Sequence, residues 1–262
     1  MSDQVLKVPR SLRRGGRLEE SERSVRDTLK IIALVCRNLG IDNLAESRIL
    51  DMGCGYRMAK SIIEQDILIK EYVGLDVFRD MIEFLREEVN DPRFNFHSLD
   101  IHNEMYNPQG KPLAELDALP ISKESFDIIW LFSVFTHLAP HDYSEMLKLL
   151  RPYVRPEGRL VFSLFVNEVT PSGLGFISSV NKKFEEQAKE NTQIFMDKFS
   201  EAYNHEHATA PPFVDFDPTQ PLKWAIYSRE HALELVQGTG WEVESLNDPE
   251  DAIQHYMICR PV

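Results

Sequence analysis

The chain has 262 residues, 43% of them apolar, and a formal net charge of −13 at pH 7. That allows one large α/β domain or two small ones with a well-filled core, and the acidic balance argues against a nucleic-acid backbone as the main partner, because phosphate binding needs a basic face. The longest apolar run, Ile128 to Phe135, suits a buried strand and is too short to span a bilayer.

Residues 1–17 are polar and basic, with Lys7, Arg10, Arg13, Arg14 and Arg17 grouped and no apolar segment of the secretory kind. Cys36, Cys54 and Cys259 have no metal spacing and are odd in number, which fits a reducing, cytoplasmic setting. From Glu19 to Leu39 the apolar residues Val25, Leu29, Ile32, Val35 and Leu39 follow a helical period, and Gly40 stops it. The arm and this helix (1–45) are expected to form a lid.

Arg48–Met52 reads as the first strand and runs into Gly53-Cys54-Gly55. A glycine-rich strand-to-helix turn lets backbone N–H groups approach a ligand, since no Cβ intervenes. Met58–Gln65 is a helix, and Tyr72–Asp76 a second strand ending on a carboxylate that suits two ribose hydroxyls. A helix at Asp80–Val89 and a strand at Asn95–Leu99, ending at Asp100, follow. Asp127–Phe132 is almost wholly apolar, as expected of a strand covered on both faces. Tyr143–Leu150 is helix and Arg159–Phe165 the fifth strand, after a turn at Pro156-Glu157-Gly158.

The alternation breaks over 166–222, with a Gly/Ser loop (Ser172–Ser179), a polar helix from about Val180 to Tyr203, and a loop rich in Pro and Asp (Pro211–Pro221). A helix at Arg229–Gly238 precedes strands Trp241–Leu246 and Ile253–Arg260, which have no helix between them and so form an antiparallel hairpin. The expected fold is α/β: a doubly wound, mostly parallel seven-stranded sheet with a C-terminal antiparallel hairpin. It forms a single domain, with a core at 46–165, a substrate-side insertion at 166–222 and a C-terminal helix and hairpin at 223–262.

This order and the turn Asp51-Met52-Gly53-Cys54-Gly55 resemble the class I S-adenosylmethionine-dependent methyltransferases. The pairs Leu119-Pro120 with Ser125-Phe126-Asp127, and Leu150-Arg151-Pro152 with Pro156-Glu157-Gly158, are similar to the family's approaches to its fourth and fifth strands. Tyr106-Asn107-Pro108 and Ser133-Val134-Phe135-Thr136-His137-Leu138 resemble a bacterial subgroup of it. The family turn usually carries a third glycine; here Tyr56 stands near that position. A dinucleotide-binding oxidoreductase would read Gly-x-Gly-x-x-Gly, and position 58 is Met.

The resemblance implies S-adenosyl-L-methionine as cofactor. It would be bound by Asp51, Gly53, Cys54, Gly55, the ribose acid Asp76 with Val77, the adenine pair Asp100 and Ile101, and Phe132 and Ser133. The acceptor expected is a hydroxyl of a small molecule or glycan, with no nucleic acid and no membrane as partner. An alcohol needs a base, and His137, just past the fourth strand, is the first candidate, with His141 second. His102 suits a pocket wall. His205-Glu206-His207 reads as a solvated helix end, and no metal is expected. Phe176 suits the acceptor pocket better than Phe132, which reads as core. Asp215, Asp217 and Trp224 suit a hydroxyl-rich acceptor. An inactive cofactor-binding subunit and a protein methyltransferase are the alternatives.

Overall fold

The computed structural model describes residues 5–13, 22–123, 125–188, 211–216, 220–250 and 253–262. Tertiary packing divides the chain into two compact units.

The first unit holds residues 1–131 and 149–161. Its strands are β1 (Arg48–Met52), β2 (Glu71–Asp76), β3 (Phe94–Ser98), β4 (Phe126–Leu131) and the first part of β5 (Val154–Val166), in the order β3-β2-β1-β4-β5. The pairs β1·β2, β2·β3 and β1·β4 are parallel, in registers Ile49↔Tyr72, Tyr72↔Phe94 and Ile49↔Ile128. Helices α1 (Glu22–Leu39), α2 (Arg57–Glu64) and α3 (Arg79–Glu88) connect and cover them. In β1 the four residues after Arg48 are buried, which is why it reads as a continuous apolar run broken by Asp51.

Gly74, in the middle of β2, lets Cys54 pack beneath the turn. A Cβ there would lie 2.8 Å from the Phe96 ring and 2.9 Å from the Cys54 Sγ. Gly74→Ala should therefore cost about 1–3 kcal/mol through overpacking, read as a lowered thermal midpoint.

Part of the basic arm is docked. Leu6 and Val8 are buried, the Leu6 N–H donates to Glu64 at 3.1 Å, and the Lys60 ammonium donates to the Leu6 carbonyl at 2.6 Å. The arm is thus clamped to α2, the helix that leaves the glycine turn. Residues 1–4 and 14–21 of the expected lid lie outside the described residues.

The second unit holds residues 132–148 and 162–260. The end of β5 pairs in parallel with β7 (Ala225–Tyr227), which pairs antiparallel with β6 (Phe213–Asp215). These two short strands were not expected and lie within and just after the insertion. The strands β8 (Trp241–Asn247) and β9 (His255–Pro261) form the C-terminal pair, and β9 also pairs with β5.

α4 (Pro140–Leu150) is tied to the unit by the Tyr143 hydroxyl on Ala232 (3.2 Å) and by the Trp241 indole on Leu147 (2.8 Å). α5 (Phe176–Ala188) starts earlier than expected, inside the Gly/Ser segment. Its first turn joins Phe165 and Ile226 in an apolar core. Ser228 caps α6 (Arg229–Glu234) by accepting the His231 N–H. Among the described residues, no helix is long and apolar enough to cross a membrane.

Candidate functional site

In the first unit β1 ends on two glycines in the left-handed region, Gly53 at φ 74° and Gly55 at φ 46°. Their N–H groups turn inward rather than toward a ligand. Gly53 and Cys54 donate to the Leu75 carbonyl at 2.7 and 3.1 Å, and Gly55 donates to an Asp76 carboxylate oxygen at 2.8 Å. The glycines thus supply a backbone path that L side chains resist, and β2 pins that path in place. Tyr56, where the family's third glycine is usual, has φ −130°, which needs no glycine.

Asp76 is the hub. One of its oxygens accepts the Gly55 N–H and the other the Phe78 N–H at 2.8 Å. A carboxylate offers about four lone-pair sites, so acceptor capacity remains for ribose hydroxyls. Burial raises its pKa, opposed by the amides of Phe78, Gly55 and Val77.

Asp51 is a different kind of acid. It is buried beneath the turn, accepts the Tyr72 hydroxyl, and has its pKa pushed up to about 7. Burial is the main cause, opposed by Tyr72 and Trp130 and reinforced by the negative charge of Asp76. Burial likewise raises the Cys54 thiol, with Asp76 and Asp51 adding to it.

Folded Asp51 holds its proton up to about pH 7, whereas an unfolded Asp releases it near about 3.9. In that window the folded state binds more protons, so this group's contribution to stability falls as pH rises from about 4 to 7 and is constant above. Asp51→Asn should flatten that fall, which melting curves of both proteins across the window would reveal.

A cleft of about 250 Å³ opens at the carboxyl ends of β2 and β3. Val77, Phe78, Asp80, Asp100, Tyr106 and Asn107 are among its walls. The Phe78 and Tyr106 rings lie 6.0 Å apart. Asn107 reaches back to the Ile101 carbonyl at 3.0 Å and to Asp100 at 3.3 Å, so this loop holds the exposed Asp100 carboxylate in position. Ile101 itself is buried. His102 is exposed, with Glu104 at 3.4 Å.

These residues suit a nucleoside: aromatic faces for a planar base, an exposed carboxylate for an amino group and a second one for ribose hydroxyls. Of the cofactor residues read from sequence, the first unit thus gathers Asp51, Gly53, Cys54, Gly55 and Asp76 at the turn, and Val77 and Asp100 at the cleft.

Residues 50–162 match the family model described as a methyltransferase domain. The chain carries a methyltransferase domain.

Solved methyltransferases share its fold. A magnesium protoporphyrin IX methyltransferase from Synechocystis, with bound SAH, is 13% identical over 97% of this chain and 92% of that one, with TM-score 0.53. An S-adenosylmethionine-dependent methyltransferase from Mesorhizobium loti is 15% identical over 87% and 96%, with TM-score 0.52. The 1,6-didemethyltoxoflavin-N1-methyltransferase of Burkholderia thailandensis is 16% identical over 92% and 80%, with TM-score 0.50.

The second unit of this methyltransferase carries the remaining candidates. Ser133 is exposed and left-handed at φ 60°. Its N–H donates to the buried Ser163 hydroxyl at 2.8 Å, and its Oγ receives the Gln254 amide at 2.8 Å. A non-glycine residue in this region is costly and persists when its neighbours over-determine it.

Phe135–His137 forms a single 3-10 turn. His137 is half-buried, and its Nδ1 lies 3.1 Å from the Leu222 carbonyl. A carbonyl only accepts, so the neutral ring keeps its proton on Nδ1 and its lone pair on Nε2. Burial lowers the His137 pKa, opposed by the carbonyls of Leu222 and Lys223. His141 is exposed on the first turn of α4.

The expectation for Phe176 does not hold. Phe176 is buried against Phe165, at 4.5 Å between ring centroids, and belongs to the core. Phe132 is half-buried with an edge-on contact to Tyr256. A helix starting at Phe176 turns that ring inward, which a loop reading could not foresee. Asp217 and His205-Glu206-His207 lie outside the described residues.

Sequence reasoning missed a cluster assembled from distant segments. Arg229 grips Glu168 at 2.5 and 2.9 Å and Asp248 at 2.8 Å, and His255, fully buried, meets Glu168 at 2.8 Å. The guanidinium holds the Glu168 pKa below its usual range, despite partial burial. Glu168, Asp248 and His255 have ligand-like spacing, but Arg229 supplies the positive charge their carboxylates need, so the cluster reads as an ionic tie between the β5 exit, α6 and the β8–β9 connection. Its signal in the sequence is faint, since each member is an isolated polar residue.

Proposed function

We propose that this enzyme methylates a hydroxyl of a small molecule or glycan, with His137 as the base that takes the acceptor's proton. The cofactor is S-adenosyl-L-methionine, which when bound supplies an electrophilic methyl group on a sulfonium. Asp76 would hold its ribose, the Val77–Asp100 cleft its adenine, and the Gly53–Gly55 turn the methionyl side. The Tyr106-Asn107-Pro108 and Ser133–Leu138 sequences support a reading within the bacterial subgroup they resemble. The odd number of cysteines, without metal spacing, supports a reducing, cytoplasmic setting.

The observation that carries the hydroxyl reading is the fixed ring of His137. With Nδ1 bound to a backbone carbonyl, Nε2 offers its lone pair, and partial burial keeps the imidazole neutral near pH 7. A neutral base is what an alcohol acceptor requires, whereas a thiolate or an amine of low pKa does not.

The test is transfer of a labelled methyl group from S-adenosylmethionine to a panel of hydroxylated small molecules and oligosaccharides, with the methylated atom located by mass spectrometry and NMR. Methylation confined to nitrogen or carbon would overturn the hydroxyl reading. Binding of S-adenosylhomocysteine with no turnover on any acceptor would favour the inactive subunit.

A further inference from the structure

Asp215 is the last residue of β6, and its carboxylate looks at first like a polar contact for an acceptor. The structure gives it another task. One of its oxygens accepts the Leu222 N–H at 3.0 Å. Leu222 has φ 54°, in the left-handed region that a leucine resists. The next link is the Leu222 carbonyl, which faces His137 Nδ1 at 3.1 Å. A carboxylate, a strained backbone residue and an imidazole are thus joined in series, all within the second unit.

Each link has a reason. In free solution a neutral histidine prefers the Nε2–H tautomer over Nδ1–H, so an acceptor must be presented to Nδ1 to select its protonated form. Leu222 presents its carbonyl only while its backbone stays left-handed, and the hydrogen bond from its N–H to the Asp215 side chain offsets the cost of that conformation. Asp215 is the group that makes that bond. The adjoining strand keeps it in register, because Asp215 pairs with Ala225 across β6 and β7. The Phe216 N–H donates to the Trp224 carbonyl at 3.1 Å, closing the loop from its other side.

We propose that Asp215 is a positioning residue for His137: through the Leu222 backbone it sets which imidazole nitrogen carries the proton and which faces the reaction. It need not touch acceptor or cofactor. The proposal rests on His137 being the base, yet it concerns the ring's tautomer, which is measurable without turnover.

The experiment is ¹⁵N NMR of the full-length protein with labelled histidine, at a pH above the titration of His137, with His137→Gln assigning its signals. The wild type should show His137 protonated on Nδ1. Asp215→Ala should move it toward the Nε2–H form or to an averaged signal, and Asp215→Asn, which keeps an acceptor oxygen, should restore the Nδ1–H form. Leu222→Gly, which tolerates the left-handed backbone, should also retain it. S-adenosylhomocysteine affinity, measured alongside, should stay within about twofold in the Asp215 variants.

A wild-type ring protonated on Nε2 would overturn the proposal, and that measurement needs no variant to fold. So would an Asp215→Ala protein that keeps the wild-type tautomer. If the tautomer behaves as stated but His137→Gln retains full turnover, the base assignment fails while the positioning relation stands.

Discussion

Replacing His137 with alanine should cut kcat by roughly 10²–10⁴ while leaving S-adenosylhomocysteine affinity within a few-fold. General-base catalysis acts on the rate of transfer, and the residues assigned to nucleoside binding lie in the other unit. Because burial lowers the His137 pKa below its ordinary value of about 6.5, the base is already free at neutral pH. Activity should therefore be flat above that range and fall as pH drops through the lowered pKa, and the variant should lose this acidic limb. A histidine that only shapes the pocket predicts the opposite pair: weaker cofactor binding with the pH profile intact. Calorimetry and a pH–rate profile on the one variant decide, once an acceptor has been found.

Asp76→Ala should weaken cofactor binding at least tenfold. Two losses add. The ribose hydroxyls lose a charged acceptor, and bonds of that kind contribute about 1.5–3 kcal/mol each. The N–H groups of Gly55 and Phe78 lose the oxygens that hold them at 2.8 Å, so the turn and the cleft wall loosen together. Asp76→Asn keeps one carbonyl oxygen and should fall between the two. Calorimetric titration with S-adenosylhomocysteine, paired with thermal melting, separates the effects: a folded Asp76→Ala protein of unchanged affinity would remove Asp76 from the site.

The strands and the glycine turn were legible in the sequence because their signals are local. A run such as Ile49-Leu50-Asp51-Met52 reports burial on both faces, and glycine alone accepts φ 74° at Gly53 cheaply. The acid at the end of β2 follows from chain order, since a carboxylate at a strand tip lies on the sheet's ligand edge. The candidate base was reached in the same way, as the histidine just past β4.

What those residues do with their atoms was decided by tertiary contacts. The sequence pointed to turn amides facing a ligand, whereas β2 takes them all: Leu75 and Asp76 lie across the sheet, and no local pattern encodes that pairing. Asp51 became an acid with a pKa of about 7 because the surrounding core excludes water from it, against the lowering effect of the Tyr72 hydroxyl it accepts. Phe176 entered the core rather than a pocket because a helix start, rather than a loop, fixes the direction of the first ring. The orientation of His137 depends on Leu222, 85 residues away, and that of Leu222 on Asp215. Periodicity and steric preference act within a few residues, so the sequence by itself determined the strands and helices of the parallel core, but not β6, β7 or the start of α5, and the sheet edge at which the candidate site lies. Hydrogen bonds and desolvation join residues that only folding brings together, so the protonation, tautomer and partners of the site residues were settled by the tertiary structure.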